Sequence, residues 1–348
     1  MSDQIFILGM ASFLAAVLAW GFRALPGEKW QILFSVPGAK DPSGAWSGTN
    51  YTYYGLFQAN AMVLAILLLV TLVGSLRLEI PLGAVAMTAG ILTAICLPSN
   101  KIVARIVEKK QHTTTVAGSY FVGTLVAPWA LWLSNETTGF RLPLIPFLAA
   151  GYTAYALGES LGRLACISFG CCYGKPLHLT SRLVQDLFGK YSFVFSGATK
   201  KAAYESGLEG IPVVPVQAIS SVFLAATALA GTYLYLNGFF GPAFLVTSIA
   251  SQGWRFVSEL LRSDYRGEGR ISAYQVMSLV GIAYCFGTWL AAAGAPEIRP
   301  DVIAGLRTLW NPLLVVILQV AWVAIFLNYG RSRVTGSTIG FYVRRDHV

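Results

Sequence analysis

Long runs of apolar residues recur along this chain, and they limit the folds that it can adopt. Several runs hold about 18 or more mostly apolar residues, and about 20 helical residues cross the hydrocarbon of a bilayer. Only 12% of the 348 residues are charged, and the mean hydropathy is +0.61. Soluble domains carry about 25% charged residues. The sequence therefore predicts an all-α polytopic membrane protein.

The apolar runs predict about nine transmembrane helices. They lie near residues 4–22, 56–76, 81–104, 114–134, 142–162, 213–236, 240–262, 271–293 and 308–328. Residues 23–55 are rich in Gly, Pro, Trp and Tyr, a composition typical of a membrane interface. Residues 163–212 are polar enough to form a small extramembrane cap. The basic tail after residue 330 is expected on a surface.

The formal net charge of +9 is spread over the loops between the spans. This distribution favours anionic lipid headgroups as partners and argues against nucleic acid, which needs clustered charge on a soluble face. The first apolar run lacks a basic segment before it, so we expect it to remain as a span. Lys and Arg cluster in alternate loops, and the positive-inside rule would place those loops, including the cap, in the cytoplasm.

Residues 158–176, "GESLGRLACISFGCCYGKP", combine charge, thiols and glycines in an otherwise apolar region. Glu159 precedes Arg163 by four residues, which places both on one helix face. Gly162, Gly170 and Gly174 let the backbone approach a ligand closely and end the helix. The stretch predicts a polar site at the end of the fifth span.

The five cysteines do not follow a zinc-finger spacing, and the three histidines add no metal-binding pattern. The sequence therefore predicts neither a metal site nor a cofactor. Two interpretations of Cys171 and Cys172 remain open. They are small packing thiols, or they are reactive thiols whose pKa is lowered by Arg163 and Lys175.

A second charged stretch, "GWRFVSELLRSDYRGEGR", covers residues 253–270. Arg255, Glu259 and Arg262 fall within about 60° of one helix face, and Asp264 is expected beyond the helix end. Arginines that reach toward headgroups would explain the positive charges but not Glu259. Ionisable groups within spans usually face a partner or a polar cavity, so a shared cavity is the favoured interpretation.

These arginines and carboxylates together suit a bound phosphate ester. Arginine presents a planar fork to phosphate oxygens, and a carboxylate can accept a proton. Phosphate at this depth would belong to a lipid. Gln217, in "VPVQAISS", adds a polar group near the interface, although a polar helix end explains it equally well.

In order, "GRLACISFGCCYGKP", "VPVQAIS" and "RFVSELLRSD" with the helix after it resemble motifs of the prolipoprotein diacylglyceryl transferase family. Those motifs are a Gly-Arg turn, a His-Pro-x-Gln-Leu-Tyr-Glu element and an Arg-x-x-x-Glu-x-x-Arg-x-x-Asp helix. The chain is most similar to a branch with a Cys-Cys-Tyr-Gly turn. The resemblance covers about residues 56–293, a seven-helix core. Residues 1–55 and 294–348 then each add one span.

The resemblance implies transfer of diacylglyceryl from phosphatidylglycerol to a lipoprotein-precursor thiol, with release of glycerol phosphate. Arg163 and Arg255 are expected to clamp the phosphate, and Glu259 to act as base or to hold an arginine. Substrate-binding roles are predicted for eleven further residues: Glu159, Gly162, Cys166, Cys171, Cys172, Tyr173, Gly174, Lys175, Gln217, Arg262 and Asp264. The family's location implies a bacterial inner membrane with a periplasmic cap, against the positive-inside count.

Five positions depart from the family pattern on the side that handles the acceptor. Cys166 and Cys171 stand where the family has asparagine and glutamate. Val214 and Ile219 replace a histidine and a tyrosine, and Gly118 stands near the family's catalytic histidine. The acceptor is therefore left open. The alternatives are a lipid-modifying enzyme with a small-molecule acceptor and a non-catalytic phospholipid-binding or lipid-transport protein.

Overall fold

The computed structural model describes residues 2–78, 82–107, 109, 115–264, 271–292 and 298–348. The helices in this part of the chain are α1 (Ser2–Ala24), α2 (Tyr53–Gly74), α3 (Leu82–Val107), α4 (Val116–Thr138), α5 (Leu144–Phe169), α6 (Arg182–Phe188), α7 (Lys201–Ser206), α8 (Val216–Leu236), α9 (Phe240–Leu261), α10 (Ala273–Ala291), α11 (Val302–Thr308) and α12 (Pro312–Gly330). The strands are β1 (Ile32–Lys40), β2 (Trp46–Thr52), β3 (Phe193–Val194), β4 (Pro212–Val213) and β5 (Arg331–Ile339).

Nine long helices within the described residues correspond to the nine predicted spans. Seven of them, α1 to α4, α8, α10 and α12, are long and apolar enough to cross a membrane. The other two, α5 and α9, carry the charged residues singled out in the sequence. The prediction of an all-α polytopic membrane protein is confirmed. The predicted domain boundary at residues 293/294 lies outside the described residues.

The fifth helix is longer than the predicted span by about two turns. Helix α5 continues past residue 162 to Phe169 and stops where Gly170 adopts a left-handed backbone conformation, with φ of 71°. Helix α5 therefore carries Arg163 and Cys166 itself, and the cap is formed by residues 170–215. The charged residues did not end the span because other side chains in the bundle neutralise them, as described below.

Helix α5 lies at the centre of the bundle, against α2 and α8. Small residues allow the close approach, as is usual where helices pack without large side chains between them. A Cβ on Gly158 would lie 2.9 Å from Ala65 of α2. The hydroxyls of Ser160 and Ser221 each donate to the other residue's carbonyl, at 2.7 and 2.6 Å. These contacts fix the axial position of α5 and thus of its charged residues.

A three-stranded antiparallel sheet, in the order β1-β2-β5, joins the segment before α2 to the basic tail. Both segments were expected at an interface or a surface, and their pairing was not predicted. Asn50 on β2 connects the strands, because its amide accepts from Ser35 and donates to Thr335, at 2.6 and 3.3 Å. The sheet holds together the two ends that flank the predicted core.

The segment after α1 fastens the cap to the bundle. Lys200 is fully buried, and its Nζ donates to the carbonyls of Leu25 and Ser168, at 2.9 and 2.8 Å. Thr199 donates to the side chain of Gln31 at 2.7 Å. Burial lowers the pKa of Lys200 to about 7, although nearby Glu28 opposes the shift. The cap therefore depends on a buried lysine whose charged form is disfavoured by burial.

Candidate functional site

Helices α5 and α9 bring two arginines to one carboxylate inside the bundle. Nη2 of Arg255 lies 2.8 Å from both carboxylate oxygens of Glu159, and Nη2 of Arg163 donates to Oε1 of the same group. The side chains of Glu159, Arg163 and Arg255 are only 7%, 14% and 10% exposed. We call these three residues the arginine cluster.

Two tyrosines complete the surroundings of Arg255. Its Nη2 donates to the hydroxyl of Tyr155 at 2.8 Å, and its guanidinium carbon lies 5.5 Å from the centre of the Tyr120 ring. The two rings stack with centroids 3.9 Å apart. A cation over an aromatic face is stabilised by the ring quadrupole, more strongly where water is excluded. The tyrosines therefore hold the guanidinium in one orientation.

Neither tyrosine was among the predicted site residues, although the position of one of them follows a sequence pattern. Tyr155, Glu159 and Arg163 recur every four residues, which places them along one face of α5. Tyr120 follows no such pattern, because it lies on α4, outside the stretches that were singled out. It is close to Gly118, the position near which the family has a histidine. A Cβ on Gly118 would lie 2.5 Å from the Cβ of Val103, so α3 and α4 leave no room for a larger residue there.

The arginine cluster carries one unbalanced positive charge. Two guanidinium groups face one carboxylate, and the Nε atoms of Arg163 and Arg255 are buried without a hydrogen-bond partner among the described residues. A buried donor of this kind is costly unless something accepts from it. The arrangement therefore suits a monoanion with oxygen acceptors.

The predicted stripe of Arg255, Glu259 and Arg262 does not act as one unit. Arg255 reaches across to Glu159, and the hydroxyl of Ser272 donates to Glu259 at 3.4 Å. Arg262 lies one residue past the end of α9. Arg255 thus takes its counter-ion from α5, which offers a carboxylate at its level, and not from Glu259 on its own helix.

Arg262 binds Asp264 in a bidentate ion pair, with Nε–Oδ1 of 2.8 Å and Nη2–Oδ2 of 2.6 Å. Asp264 lies beyond the helix end, where the sequence placed it. The Arg262 side chain is only 6% exposed. The coulombic attraction of Asp264 raises the pKa of Arg262 although burial opposes it, so this guanidinium remains charged.

The turn after α5 gathers three cysteines. The N–H of Cys171 donates to the carbonyl of Cys166 at 3.0 Å, and Gly170 donates to Ile167 at 3.1 Å, which is the bond pattern of a Schellman C-cap. Cys172 also has a left-handed backbone, with φ of 57°. The Sγ atoms of Cys166, Cys171 and Cys172 consequently lie within 4.8 Å of one another. We call these three residues the thiol cluster.

Backbone hydrogen bonds hold this turn against the end of α9. The N–H of Lys175 donates to the carbonyl of Leu261, and Ser263 donates to the carbonyl of Tyr173, at 3.0 and 3.1 Å. The side chain of Lys175 is exposed. The hydroxyl of Tyr173 bonds to Glu205 and Ser206 of α7, so this side chain attaches the turn to the cap. The substrate contacts of Lys175 and Tyr173 stay predictions.

The same turn packs against the start of α8. A Cβ on Gly174 would lie 2.3 Å from the carbonyl oxygen of Val214, so only glycine permits this approach. Nε2 of Gln217 donates to the carbonyl of Cys171 at 2.9 Å. All three stretches singled out in the sequence therefore meet at the turn. Gly162, in contrast, faces Gln58 of α2.

The thiols differ in their electrostatic surroundings. The pKa of Cys172 is lowered well below its usual value, because its sulfur accepts hydrogen bonds from Cys166 and Cys171 and because Arg262 and Arg163 lie nearby. The pKa of Cys171 is raised by the hydrogen bonds that its thiol shares with the other two and by burial. In this cluster Cys172 is the sulfur that most readily carries negative charge.

Comparison with known families gives one match. A family model described as prolipoprotein diacylglyceryl transferase matches residues 46–291, a range that includes the arginine cluster and the thiol cluster. No curated protein and no solved structure matches the chain.

Proposed function

Because the chain belongs to the prolipoprotein diacylglyceryl transferase family, which comprises membrane transferases of a diacylglyceryl moiety, we propose a more specific reaction for it. The donor is an anionic glycerophospholipid, phosphatidylglycerol, and the acceptor is a thiol of a lipoprotein precursor. The carbon–oxygen bond to the phosphate breaks, a carbon–sulfur bond forms, and the electron pair leaves with glycerol phosphate. The thiol proton passes to water.

The arginine cluster is the observation that carries this proposal. Its single excess positive charge matches the single negative charge of a phosphodiester, and its buried Nε donors point to an oxygen-bearing anion. Negative charge grows on the phosphate as the carbon–oxygen bond breaks. Preorganised donors in a water-poor site stabilise such charge more strongly than water does. Arg163 and Arg255 are therefore assigned to the phosphate.

Glu159 positions the two arginines. Both of its oxygens already accept from guanidinium groups, which makes it a poor proton acceptor. The predicted role of Glu259 as base is not supported by a contact with the arginine cluster, and it remains a hypothesis that the last prediction below tests.

The reaction is tested with the purified full-length chain in lipid nanodiscs. The donor is phosphatidylglycerol labelled in its terminal glycerol, and the acceptor is a peptide with one cysteine in a lipoprotein-type sequence. We expect labelled glycerol phosphate in the aqueous phase and a peptide heavier by one diacylglyceryl group. Arg163→Lys should reduce the rate at least about 100-fold, because a single ammonium cannot replace a fork aimed at phosphate.

Arg77→Lys is the matched control, because Arg77 is exposed and pairs with Asp301 away from the cluster. It should react at the rate of the unmodified chain. Phosphatidylglycerol bound without release of label would support the alternative of a lipid-binding protein. Label released without a heavier peptide would support a small-molecule acceptor instead. Either result overturns the proposed reaction.

The chain is a multi-pass protein of the inner membrane, and we propose that its cap faces the periplasm. The basic residues that argue otherwise include Arg163 and Arg262, which are buried in ion pairs and do not report topology. Ala198 is exposed on the cap, so Ala198→Cys supplies a labelling site. An impermeant maleimide should label it in intact cells. Labelling only after the inner membrane is opened would place the cap in the cytoplasm.

A further inference from the structure

The thiol cluster has the dimensions of a metal site. A tetrahedral Zn²⁺ with Zn–S bonds of about 2.3 Å separates its sulfurs by about 3.8 Å. The three Sγ atoms lie within 4.8 Å of one another, so small rotations about the Cα–Cβ bonds reach that separation. The other two cysteines, Cys96 and Cys285, lie apart from this cluster.

We propose that Cys166, Cys171 and Cys172 bind a thiophilic metal ion of the zinc class as three thiolates, with the fourth position open to the acceptor thiol. Metal binding is inferred from the three sulfurs alone and does not depend on the proposed function. The part concerning the acceptor rests on the proposed function, since only a thiol acceptor needs such a position.

The backbone prepares this geometry without the ion. The Schellman bonds place Cys171 beside Cys166, and the left-handed backbone of Cys172 turns its side chain back toward both. Gln217 fixes the carbonyl of Cys171. A β-carbon-bearing residue with positive φ is uncommon, and such conformations are retained where the surrounding structure imposes them. Simple packing of small thiols would not require it.

Positive charge around the cluster suits thiolates. Arg163 and Arg262 lie within electrostatic range of Cys172, and Lys201 lies within range of Cys171 and Cys172. Three thiolates and one divalent cation carry a net charge of −1. These three cations moderate that charge without cancelling it, because each is also paired with a carboxylate, that of Glu159, Asp264 or Glu205. Sulfur ligands select soft and borderline ions over Mg²⁺ or Ca²⁺. A site with three protein ligands resembles catalytic rather than structural zinc sites, which are closed by four.

The open position offers a way to activate the acceptor in this chain. Gly118 stands near the place of the family's histidine, and the packing of Val103 excludes a larger side chain there. A thiol that binds the metal loses its proton to water, since metal coordination deprotonates thiols. The resulting thiolate attacks the glycerol carbon, and the carbon–oxygen electron pair leaves with the phosphate. Metal and charge are unchanged at the end.

Metal binding is measured on the purified full-length chain. After chelator treatment and dialysis, we expect one Zn²⁺ to rebind per chain. Co²⁺ should bind the same site and give the intense near-ultraviolet bands of cobalt–thiolate bonds with the visible bands of tetrahedral coordination. Cys166→Ser and Cys172→Ser should each weaken binding at least about 10-fold, since even second-shell changes have effects of 10–100-fold.

Cys285→Ser is the matched control, because Cys285 is buried and bonds to Tyr152 at 3.2 Å, remote in sequence from the turn. It should keep full metal binding. Less than a stoichiometric ion in the unmodified chain, or equal loss in Cys285→Ser, overturns the proposal. Binding of Cu⁺ without Zn²⁺ or Co²⁺ also overturns it, since three-coordinate Cu⁺ leaves no open position.

The metal site and the proposed function can fail separately. Addition of the cysteine peptide should shift the visible bands of the Co²⁺ form, because a fourth sulfur joins the metal, and a serine-containing peptide should not. A stoichiometric site without this shift overturns the acceptor role alone. If the shift occurs but no glycerol phosphate is released from phosphatidylglycerol, the site stands and the proposed reaction fails.

Discussion

The arginine cluster and the thiol cluster both include residues of the last turns of α5, but they are built in different ways. Side chains from two long helices form the arginine cluster, where Arg255 of α9 reaches Glu159 of α5. The thiol cluster is formed by one short stretch of chain whose backbone turns sharply after Gly170. One cluster depends on ion pairs within the bundle, and the other depends on backbone geometry at its edge.

Because of this difference, the two clusters respond differently to substitutions. An ion-paired cluster keeps its backbone when one side chain changes, but it loses its charge balance. A cluster held by backbone bonds keeps its charges when the turn shifts, but its sulfurs move apart. The following four predictions use this contrast, from the largest expected effect to the smallest.

The largest effect is expected from Glu159→Gln, which keeps the shape of the side chain and removes its charge. Two buried guanidinium groups are then left without a counter-ion, and breaking a buried pair in this way costs about 3–5 kcal/mol. We expect the free energy of unfolding in detergent to fall by that amount. Turnover of labelled phosphatidylglycerol should fall at least about 100-fold, because both arginines lose their common anchor.

Glu136→Gln is the matched control, because Glu136 is an exposed residue near the end of α4. Its stability and turnover should stay unchanged. The thiols of Glu159→Gln should react with maleimide at the rate of the unmodified chain, since no backbone contact of the turn is lost. A faster reaction would show that the two clusters are not separate units.

The second effect is a pH dependence of the free energy of unfolding. It arises where Lys200 holds the backbone next to the thiol cluster, and the arginine cluster does not contribute to it. Lys200 holds the carbonyl of Ser168 at the end of α5. Its pKa is lowered to about 7 in the folded protein and is near 10.5 when unfolded, so the unfolded chain binds more protons between these values. Stability therefore rises with pH across this window, by at most about 1.4 kcal/mol per unit.

Chemical unfolding at pH 7, 8, 9 and 10 measures this slope. Lys200→Met should reduce it, since one of the groups that titrate is removed, whereas Lys190→Met should not, because Lys190 is exposed. Cys172, whose pKa is lowered in the folded protein, adds to the slope below the usual thiol pKa in every variant. Guanidinium groups do not titrate in this range, so the arginine cluster contributes no slope. An undiminished slope in Lys200→Met would assign the titration to other groups.

Much of this architecture was predictable from local pattern, and the rest depends on tertiary contacts. Apolar runs gave all nine long helices, and the four-residue spacing of Glu159 and Arg163 gave their pairing. The partner of Arg255 could not be read from spacing, because Glu259 on its own helix was as plausible as Glu159 on another. The sheet was missed because β5 lies far from β1 and β2 in the chain.

The thiol cluster was missed for a different reason. The spacing of Cys166, Cys171 and Cys172 matches no zinc-finger pattern, and it becomes a cluster only because two residues take left-handed conformations. The glycine at position 170 indicates the first left-handed conformation, but nothing in the sequence indicates the second one, at Cys172. Sequence patterns report helix periods well and non-repeating turns poorly.

The third effect is expected from Gly174→Ala, which disturbs the turn and leaves every charge in place. The new methyl group would lie 2.3 Å from the carbonyl oxygen of Val214, so the turn must shift. Overpacking of this kind costs about 1–3 kcal/mol. We expect a loss of stability in this range and faster maleimide labelling of Cys171 and Cys172.

Gly253→Ala is the matched control, because a Cβ on Gly253 of α9 meets nothing within 4 Å. Alanine also favours helix, so its stability should stay equal or rise by up to about 1 kcal/mol. Phosphatidylglycerol binding should remain unchanged in both variants. Loss of lipid binding in Gly174→Ala would mean that the turn, and not the arginine cluster alone, holds the phosphate.

The smallest effect is expected from Glu259→Gln, although Glu259 is four residues after Arg255 on the same helix. Arg255 takes its counter-ion from Glu159, and the Ser272 hydroxyl that donates to Glu259 can donate equally to an amide oxygen. We expect turnover within about 3-fold of the unmodified chain, since loss of a true general base costs about 10²–10⁴-fold. A loss in that range, with stability and lipid binding intact, would make Glu259 the base, and the metal-bound thiolate would then be unnecessary. Near-normal turnover excludes Glu259 as the base and leaves activation of the acceptor at the thiol cluster as the mechanism that the cobalt spectra test.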